Sequence, residues 1–138
     1  MQKNVARVLL GLPGLFIFAS GVVFLANPVA AADKMLLSAD SAEALSNLRG
    51  FAGAPVMSIG AMLLLSAFTA RLEYARPAAL FLLTLIGARV VSYLVDGPTD
   101  AIGLLVGVPV VAFSLMLAGH KLLDHAERGE EPARVATA

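Results

Sequence analysis

A short polar stripe interrupts the third long apolar run of the chain, and its side chains are suited to binding a ligand. Arg89, Ser92, Tyr93 and Asp96 stand at relative positions 0, 3, 4 and 7. On an α-helix these positions share one face, so the guanidinium, two hydroxyls and a carboxylate form one stripe. An ionisable side chain within a membrane span is costly, and it marks either a functional site or a buried pair.

The depth of Arg89 within this helix predicts where its side chain goes. It lies seven residues before Asp96, which is about 10 Å below the outer helix end at ~1.5 Å per residue. Its Cβ leans toward the helix N-terminus and so away from the nearer membrane surface. A lipid-facing arginine near the bilayer centre costs about 2.5–3.5 kcal/mol on insertion scales. We therefore expect Arg89 to face the other helices and to find a polar partner or a ligand there.

Polar residues from neighbouring segments are predicted to reach the same end of the bundle. The predicted polar cluster consists of Arg89, Asp96, Arg49, Tyr93, Ser92, Asn47 and Asp100. Such a set suits a small anionic or polar group, for example a lipid head group, a carboxylate or a quinone carbonyl. It equally suits a structural clamp that fixes the register of the helices and holds no ligand.

The composition places these residues in a membrane protein. Hydrophobic residues make up 59% of the 138 residues and charged residues 14%, against about 45–50% and about 25% in globular domains. The net charge is zero and there is no basic patch, so no nucleic-acid partner is expected. The absence of cysteine excludes disulfides and thiolate ligands. His120 and His125 do not share a helix face, and no serine stands in a catalytic motif, so we expect no metal, no cofactor and no enzymatic activity.

Four apolar runs are each long enough to cross a hydrocarbon core of about 30 Å as an α-helix. They lie at about 5–26, 51–70, 77–96 and 101–120. The sequence therefore predicts an all-α, four-helix transmembrane domain over residues 1–123. Residues 124–138 are charged and polar, and we expect a short helical extension followed by a disordered cytoplasmic tail.

The first loop carries its own signals. Asn27 and Pro28 end the first helix, because the residue before a proline avoids the α region. We expect residues 29–39 to be a connection and Asp40 to cap the next helix, with Glu43 three positions later. Residues 1–31 also fit a cleaved signal peptide, although their apolar core is longer than the usual ~7–15 residues.

The distribution of basic residues predicts the orientation. With four spans, both termini lie on one side, which would carry Lys3, Arg7, Arg71, Arg76, Lys121, Arg128 and Arg134. The other side would carry only Lys34 and Arg49. The positive-inside rule then places both termini in the cytoplasm, and we expect a multi-pass protein of a bacterial inner membrane.

Two pairs of glycines are typical of close helix packing in membranes. Gly53 and Gly60 are seven residues apart and share a face of the second span. Gly103 and Gly107 form a small-xxx-small pattern in the fourth, which could pack within the chain or against a partner. We expect both pairs to let a neighbouring helix approach.

Three pieces of the chain together resemble a known family. They are Asn47-Leu48-Arg49-Gly50 with Gly53 and Gly60, Gly87-Ala88-Arg89 with Ser92, and Asp96-Gly97-Pro98. Over residues 5–120 the chain resembles small bacterial four-helix membrane proteins known only as a domain of unknown function. The resemblance implies a four-helix bundle with Arg49, Arg89 and Asp96 as signature positions, and it implies no activity. The architecture is also similar to that of quinone-associated membrane proteins of the DoxX type, which is analogy alone.

Three functional hypotheses remain open. The first is a non-enzymatic membrane protein that binds a lipid or small amphiphile at the polar cluster near the periplasmic face. The second is an accessory or assembly subunit of a membrane complex, which packs on a partner or on further copies of itself through Gly103 and Gly107. The third is a small transporter, which at this length would have to oligomerise. No inverted repeat or mid-membrane helix break favours the transporter.

Overall fold

The computed structural model describes residues 2–35, 37–97 and 102–135, and the regular structure of this part is entirely helical. The α-helices are α1 (Gln2–Ala26), α2 (Pro28–Lys34), α3 (Ala42–Asn47), α4 (Ala54–Thr69), α5 (Ala75–Asp96) and α6 (Ile102–Val135). A π-helical segment, Leu48–Gly53, joins α3 to α4, and a 3-10 turn, Leu72–Tyr74, precedes α5. The all-α expectation is confirmed for this part of the chain.

Four stretches of these helices are long and apolar enough to cross a membrane. They are Lys3–Ala26, Ala42–Thr69, Leu72–Asp96 and Leu105–His125. The second begins earlier than predicted, because α3, the π-helical segment and α4 follow one another without a break. The helix α6 continues to Val135, which is further than the short extension predicted within residues 124–138.

Helix α1 is the centre of the bundle, since it packs along both α4 and α6. The largest fully buried side chains are Leu10 of α1, Leu63 and Ser66 of α4, and Met116 and Leu123 of α6. A Cβ at Gly119, late in α6, would contact Leu10 and the Ala6 carbonyl near the start of α1. The two helices are therefore antiparallel, and the start of α1 lies beside the later part of α6.

Glycines bring α1 and α4 into close contact. A Cβ at Gly60 would lie 2.5 Å from Phe18 Cα, and one at Gly53 would lie 3.0 Å from Phe24 Cβ. The predicted role of the Gly53 and Gly60 face is thus confirmed. The other half of the contact comes from α1, where a Cβ at Gly21 would lie 2.6 Å from Met57 Cα. Small residues on both helices let two backbones approach, as is common between membrane helices.

The first loop corrects two predictions. Residues 28–34 form helix α2, capped by the Asn27 side chain, which accepts from Ala30 N at 3.2 Å. The expected connection over 29–39 is therefore shorter, because Pro28 suits the first turn of a new helix as well as it ends the old one. The cap of α3 is Ser41, not Asp40, and its hydroxyl accepts from Ala44 N at 3.1 Å.

The π-helical segment lies directly before Pro55. Ala54 N donates to the carbonyl of Arg49, five residues back. Proline has no N–H and its ring clashes with the carbonyl four residues earlier, so the turn before it widens rather than breaks. This widening keeps α3 and α4 in one continuous helix and sets the direction of the Arg49 side chain.

The turn between α4 and α5 is closed by a buried hydroxyl. Ser66, which is fully buried, donates to the carbonyl of Arg71 at 2.9 Å. Ala70 ends α4 in the left-handed conformation, with φ 55°. Other serines bond back to their own helices instead, as Ser20 does to Phe16. The tight turn fixes the inner end of α5 against α4.

Candidate functional site

The inner half of α5 is packed and its outer half is not. Ala75, Ala78 and Leu82 are buried among α4 and α6, whereas no side chain of α5 beyond Leu82 is buried. Leu94 and Val95, near the outer end, are each about three-quarters exposed, at 74% and 77%. The helix therefore leaves the bundle as it approaches its outer end, and the polar stripe lies on this unpacked half.

Arg89 lies in line with the packed face of α5. It follows Leu82 by two turns, so it continues the face that packs further down the helix. It is half-buried, whereas every residue of α5 from Val90 to Asp96 is exposed. The expectation that its side chain turns toward the other helices agrees with this placement. Arg89 stands where the packed part of α5 ends.

The guanidinium of Arg89 has no internal partner in the described part of the chain. No hydrogen bond or ion pair joins it to any residue of 2–35, 37–97 or 102–135. Asp96, two turns further along, accepts instead from the Ser92 hydroxyl at 2.9 Å. Tyr93 is exposed. The stripe thus separates into a Ser92–Asp96 pair and, one turn before it, Arg89, which has no partner among the described residues.

Arg49 has a different role from the one predicted. Its Nε donates to the Leu25 carbonyl at 3.2 Å, at the C-terminal end of α1. The last four carbonyls of a helix, here including that of Leu25, lack partners within the helix. A cation at this end also interacts favourably with the helix dipole. Arg49 therefore caps α1 and ties it to the start of the second span.

The predicted cluster of seven residues is not assembled in the described structure. The segment that carries Arg49 packs against α1 and α4, whereas α5 packs against α6, α4 and the 3-10 turn. Asn47 is exposed, and no hydrogen bond joins it to the stripe on α5 among the described residues. Asp100 lies outside the described residues. What remains together is Arg89 with Ser92, Tyr93 and Asp96 on one face of α5.

A second feature, an apolar groove between α1 and α6, was not anticipated. It has a volume of about 400 Å³ and is lined by Leu12, Pro13, Phe16, Gly103, Gly107, Val108, Val111, Ala112 and Leu115. A Cβ at Gly103 or Gly107 would meet no described atom within 4 Å. No described part of the chain therefore packs closely against these two glycines, and the other predicted alternative, packing against a partner, stays a prediction. The glycine of α6 that packs closely against α1 is Gly119. Gly103 and Gly107 instead line the open groove.

The comparison with known proteins gives a family. A family model described as "Domain of unknown function (DUF4345)" matches residues 5–118. The chain belongs to this family. The matched region of this DUF4345 protein runs from α1 into α6 and contains Arg49, Arg89 and Asp96. No curated protein and no solved structure matches the chain. The resemblance seen in the sequence is confirmed at the level of a domain of unknown function.

Proposed function

We propose that this DUF4345 protein spans a bacterial inner membrane four times and binds an anionic amphiphile through Arg89 near the periplasmic face. Four helices are long and apolar enough for the spans. The antiparallel contact of α1 with α6 supports an arrangement with both ends of the chain on one side of the membrane. The basic residues are concentrated on that side, which favours a cytoplasmic location for both termini.

A single observation carries the proposed binding site. Arg89 is half-buried, lies in line with the face that packs further down α5, and has no hydrogen-bonding or ionic partner in the described part of the chain. An unpaired cation at this depth is unfavourable, and a carboxylate or phosphate would satisfy it with two parallel hydrogen bonds. The outer half of α5 is apolar and exposed beside it. A ligand with an anionic head and an apolar body matches both surfaces.

The role we propose is binding rather than catalysis. The side chains around Arg89 are two hydroxyls and a carboxylate, and the carboxylate already accepts from Ser92. A general base or a nucleophile would need a second group within hydrogen-bonding reach of its reactive atom. The stripe offers a positive charge that holds a ligand, and no cofactor is required for that role.

The test compares two arginines of the same helix. Arg89→Gln removes the unpaired charge from the bundle side, whereas Arg76→Gln removes an exposed charge from the other end of α5. The full chain is extracted from membranes, and its bound amphiphiles are identified and counted by native mass spectrometry. Loss of a charge-assisted hydrogen bond of about 1.5–3 kcal/mol should lower the affinity of Arg89→Gln for its ligand at least tenfold. Equal insertion and unchanged bound molecules in Arg89→Gln would exclude the site.

The open glycine groove favours a second candidate, an accessory subunit of a membrane complex. Gly103 and Gly107 contact no described atom, and Val108 and Val111 beside them are exposed. Small-xxx-small patterns commonly receive a helix of another protein. Cysteines introduced at positions 103 and 107 test this by crosslinking in membranes. Crosslinks to another polypeptide support the role, and crosslinks confined to one chain exclude it.

A further inference from the structure

A smaller groove lies at the other end of the bundle, between the start of α1 and the end of α4. It has a volume of about 220 Å³ and is lined by Arg7, Val8, Gly11, Leu64, Ala67 and Phe68. Five of the six residues are apolar or glycine, and the sixth is a cation at one end. The lining therefore matches an occupant that is apolar along most of its length and negatively charged at its tip.

The groove exists because the helices are less tightly packed here than further along. A Cβ at Gly11 would lie 3.5 Å from Ala67 Cβ, an ordinary contact distance, whereas the same construction at Gly21 gives 2.6 Å to Met57 Cα. Gly11 of α1 and Ala67 of α4 thus face each other where the two helices are further apart. Phe68 forms the outer wall and is 76% exposed. The groove opens sideways, toward the position of the lipid.

The position of Arg7 along α1 places it at a membrane boundary. Residues 8–26 of α1 carry no charge, and at ~1.5 Å per residue they span about 28 Å, close to the ~30 Å of a hydrocarbon core. Arg7 is therefore level with the phosphates of the leaflet that faces the termini. It has no hydrogen bond or ion pair with any described residue, whereas Arg71 at the same end pairs with Glu73 at 3.5 Å.

We propose that this groove binds one acyl chain of an anionic phospholipid, with the lipid phosphate against the Arg7 guanidinium. Basic pockets between membrane helices on the cytoplasmic side are typical sites for anionic head groups. The Arg7 guanidinium complements the charge of the lipid phosphate, and the apolar lining complements the acyl chain. The site is independent of Arg89, which lies at the opposite end of the bundle.

The test uses the full chain and two lipids with identical acyl chains, phosphatidylglycerol and phosphatidylethanolamine. Native mass spectrometry in micelles gives the affinity for each. We expect a preference for phosphatidylglycerol in the unaltered chain, which Arg7→Gln lowers about tenfold, the effect of losing one charge-assisted contact. Arg76→Gln, an exposed arginine at the same end that does not line the groove, should keep the preference.

Variants of the groove test the acyl-chain part of the proposal. Gly11→Leu fills the space and should abolish the preference for phosphatidylglycerol. Should Gly11→Leu fail to fold, Phe68→Ala removes the exposed outer wall without touching the core and should weaken phosphatidylglycerol binding several-fold. Equal affinity of the unaltered chain for both lipids, or equal effects of Arg7→Gln and Arg76→Gln, would overturn the proposal. Neither result would bear on the ligand of Arg89.

Discussion

The closest helix contact of the molecule can be tested by adding a single methyl group. Gly60→Ala introduces a Cβ on α4 where the backbone of α1 already lies, 2.5 Å from Phe18 Cα. Gly107→Ala introduces the same methyl group on α6 where no described atom lies within 4 Å. Both substitutions gain the same backbone preference for helix, since alanine is favoured over glycine by about 0.5–1 kcal/mol. The difference between the two variants therefore measures the steric term alone.

The structure fixes the size of that term. A Cβ at Gly60 would lie far inside an ordinary contact distance, with the backbone nitrogen and Cα of Phe18 nearest, so the two backbones must separate by about 1 Å. A gap of ~0.5–1 Å forfeits a quarter to a half of each dispersion contact along the seam. Overpacking substitutions cost about 1–3 kcal/mol, and this one is opposed by backbone rather than by a side chain that can rotate away. We expect Gly60→Ala to be about 3 kcal/mol less stable than Gly107→Ala.

The measurement is unfolding of the purified chain in mixed micelles by increasing fractions of a denaturing detergent, followed by far-ultraviolet circular dichroism. Gly107→Ala should unfold at or slightly above the midpoint of the unaltered chain. Gly60→Ala should unfold well below it, and Gly21→Ala, on the α1 side of the same contact, should behave like Gly60→Ala. Equal midpoints for Gly60→Ala and Gly107→Ala would refute the close approach of α1 and α4.

Two further predictions concern the turn after α4. Ala70→Gly should raise the free energy of unfolding by about 1 kcal/mol. A left-handed residue with a Cβ is strained by about 1–2 kcal/mol, and the larger entropy of glycine in the unfolded state offsets part of the gain from removing this strain. An unchanged unfolding midpoint in detergent would contradict the φ of 55° at Ala70. Ser66→Ala should lower it by about 1 kcal/mol, because the Arg71 carbonyl loses its buried donor. Ser58→Ala, which removes only an exposed bond to the Ala54 carbonyl, should change it by less than half as much.

The length and composition of the apolar runs were sufficient to predict the four long helices. The spacing of glycines was sufficient to predict part of the packing between them. Gly53 and Gly60 were identified as a contact face because seven residues complete two helical turns. Gly14 and Gly21 on α1 have the same spacing and were overlooked, although both meet α4. Gly103 and Gly107 also match a small-residue packing pattern, but no described helix packs closely against them. The spacing of glycines shows that one face of a helix lacks side chains, but which helix packs against that face depends on the arrangement of all the helices.

In the candidate site, too, contacts between residues close in sequence could be predicted and contacts between distant residues could not. The Ser92–Asp96 bond joins positions four residues apart and follows from helix geometry alone. The contact of Arg49 with the Leu25 carbonyl joins residues 24 positions apart. It depends on how the start of the second span packs against the end of α1, and this packing has no periodic signature. Arg49 was therefore assigned to a cluster that it does not join.

The two halves of α5 are packed to different extents, and this difference decides which substitutions can test function without disturbing the fold. The α1–α4 contact is close at Gly21 and Gly60 and looser near Gly11, whereas the buried residues of α5, Ala75, Ala78 and Leu82, all lie in its N-terminal half. Substitutions on the outer half of α5 remove few contacts, so Arg89→Gln should change ligand binding and leave folding intact. An opening between α5 and the rest of the bundle also needs little reorganisation, because few contacts have to break. The exposed half of α5 thus carries Arg89, which has no partner among the described residues, as expected where a ligand has to enter and leave.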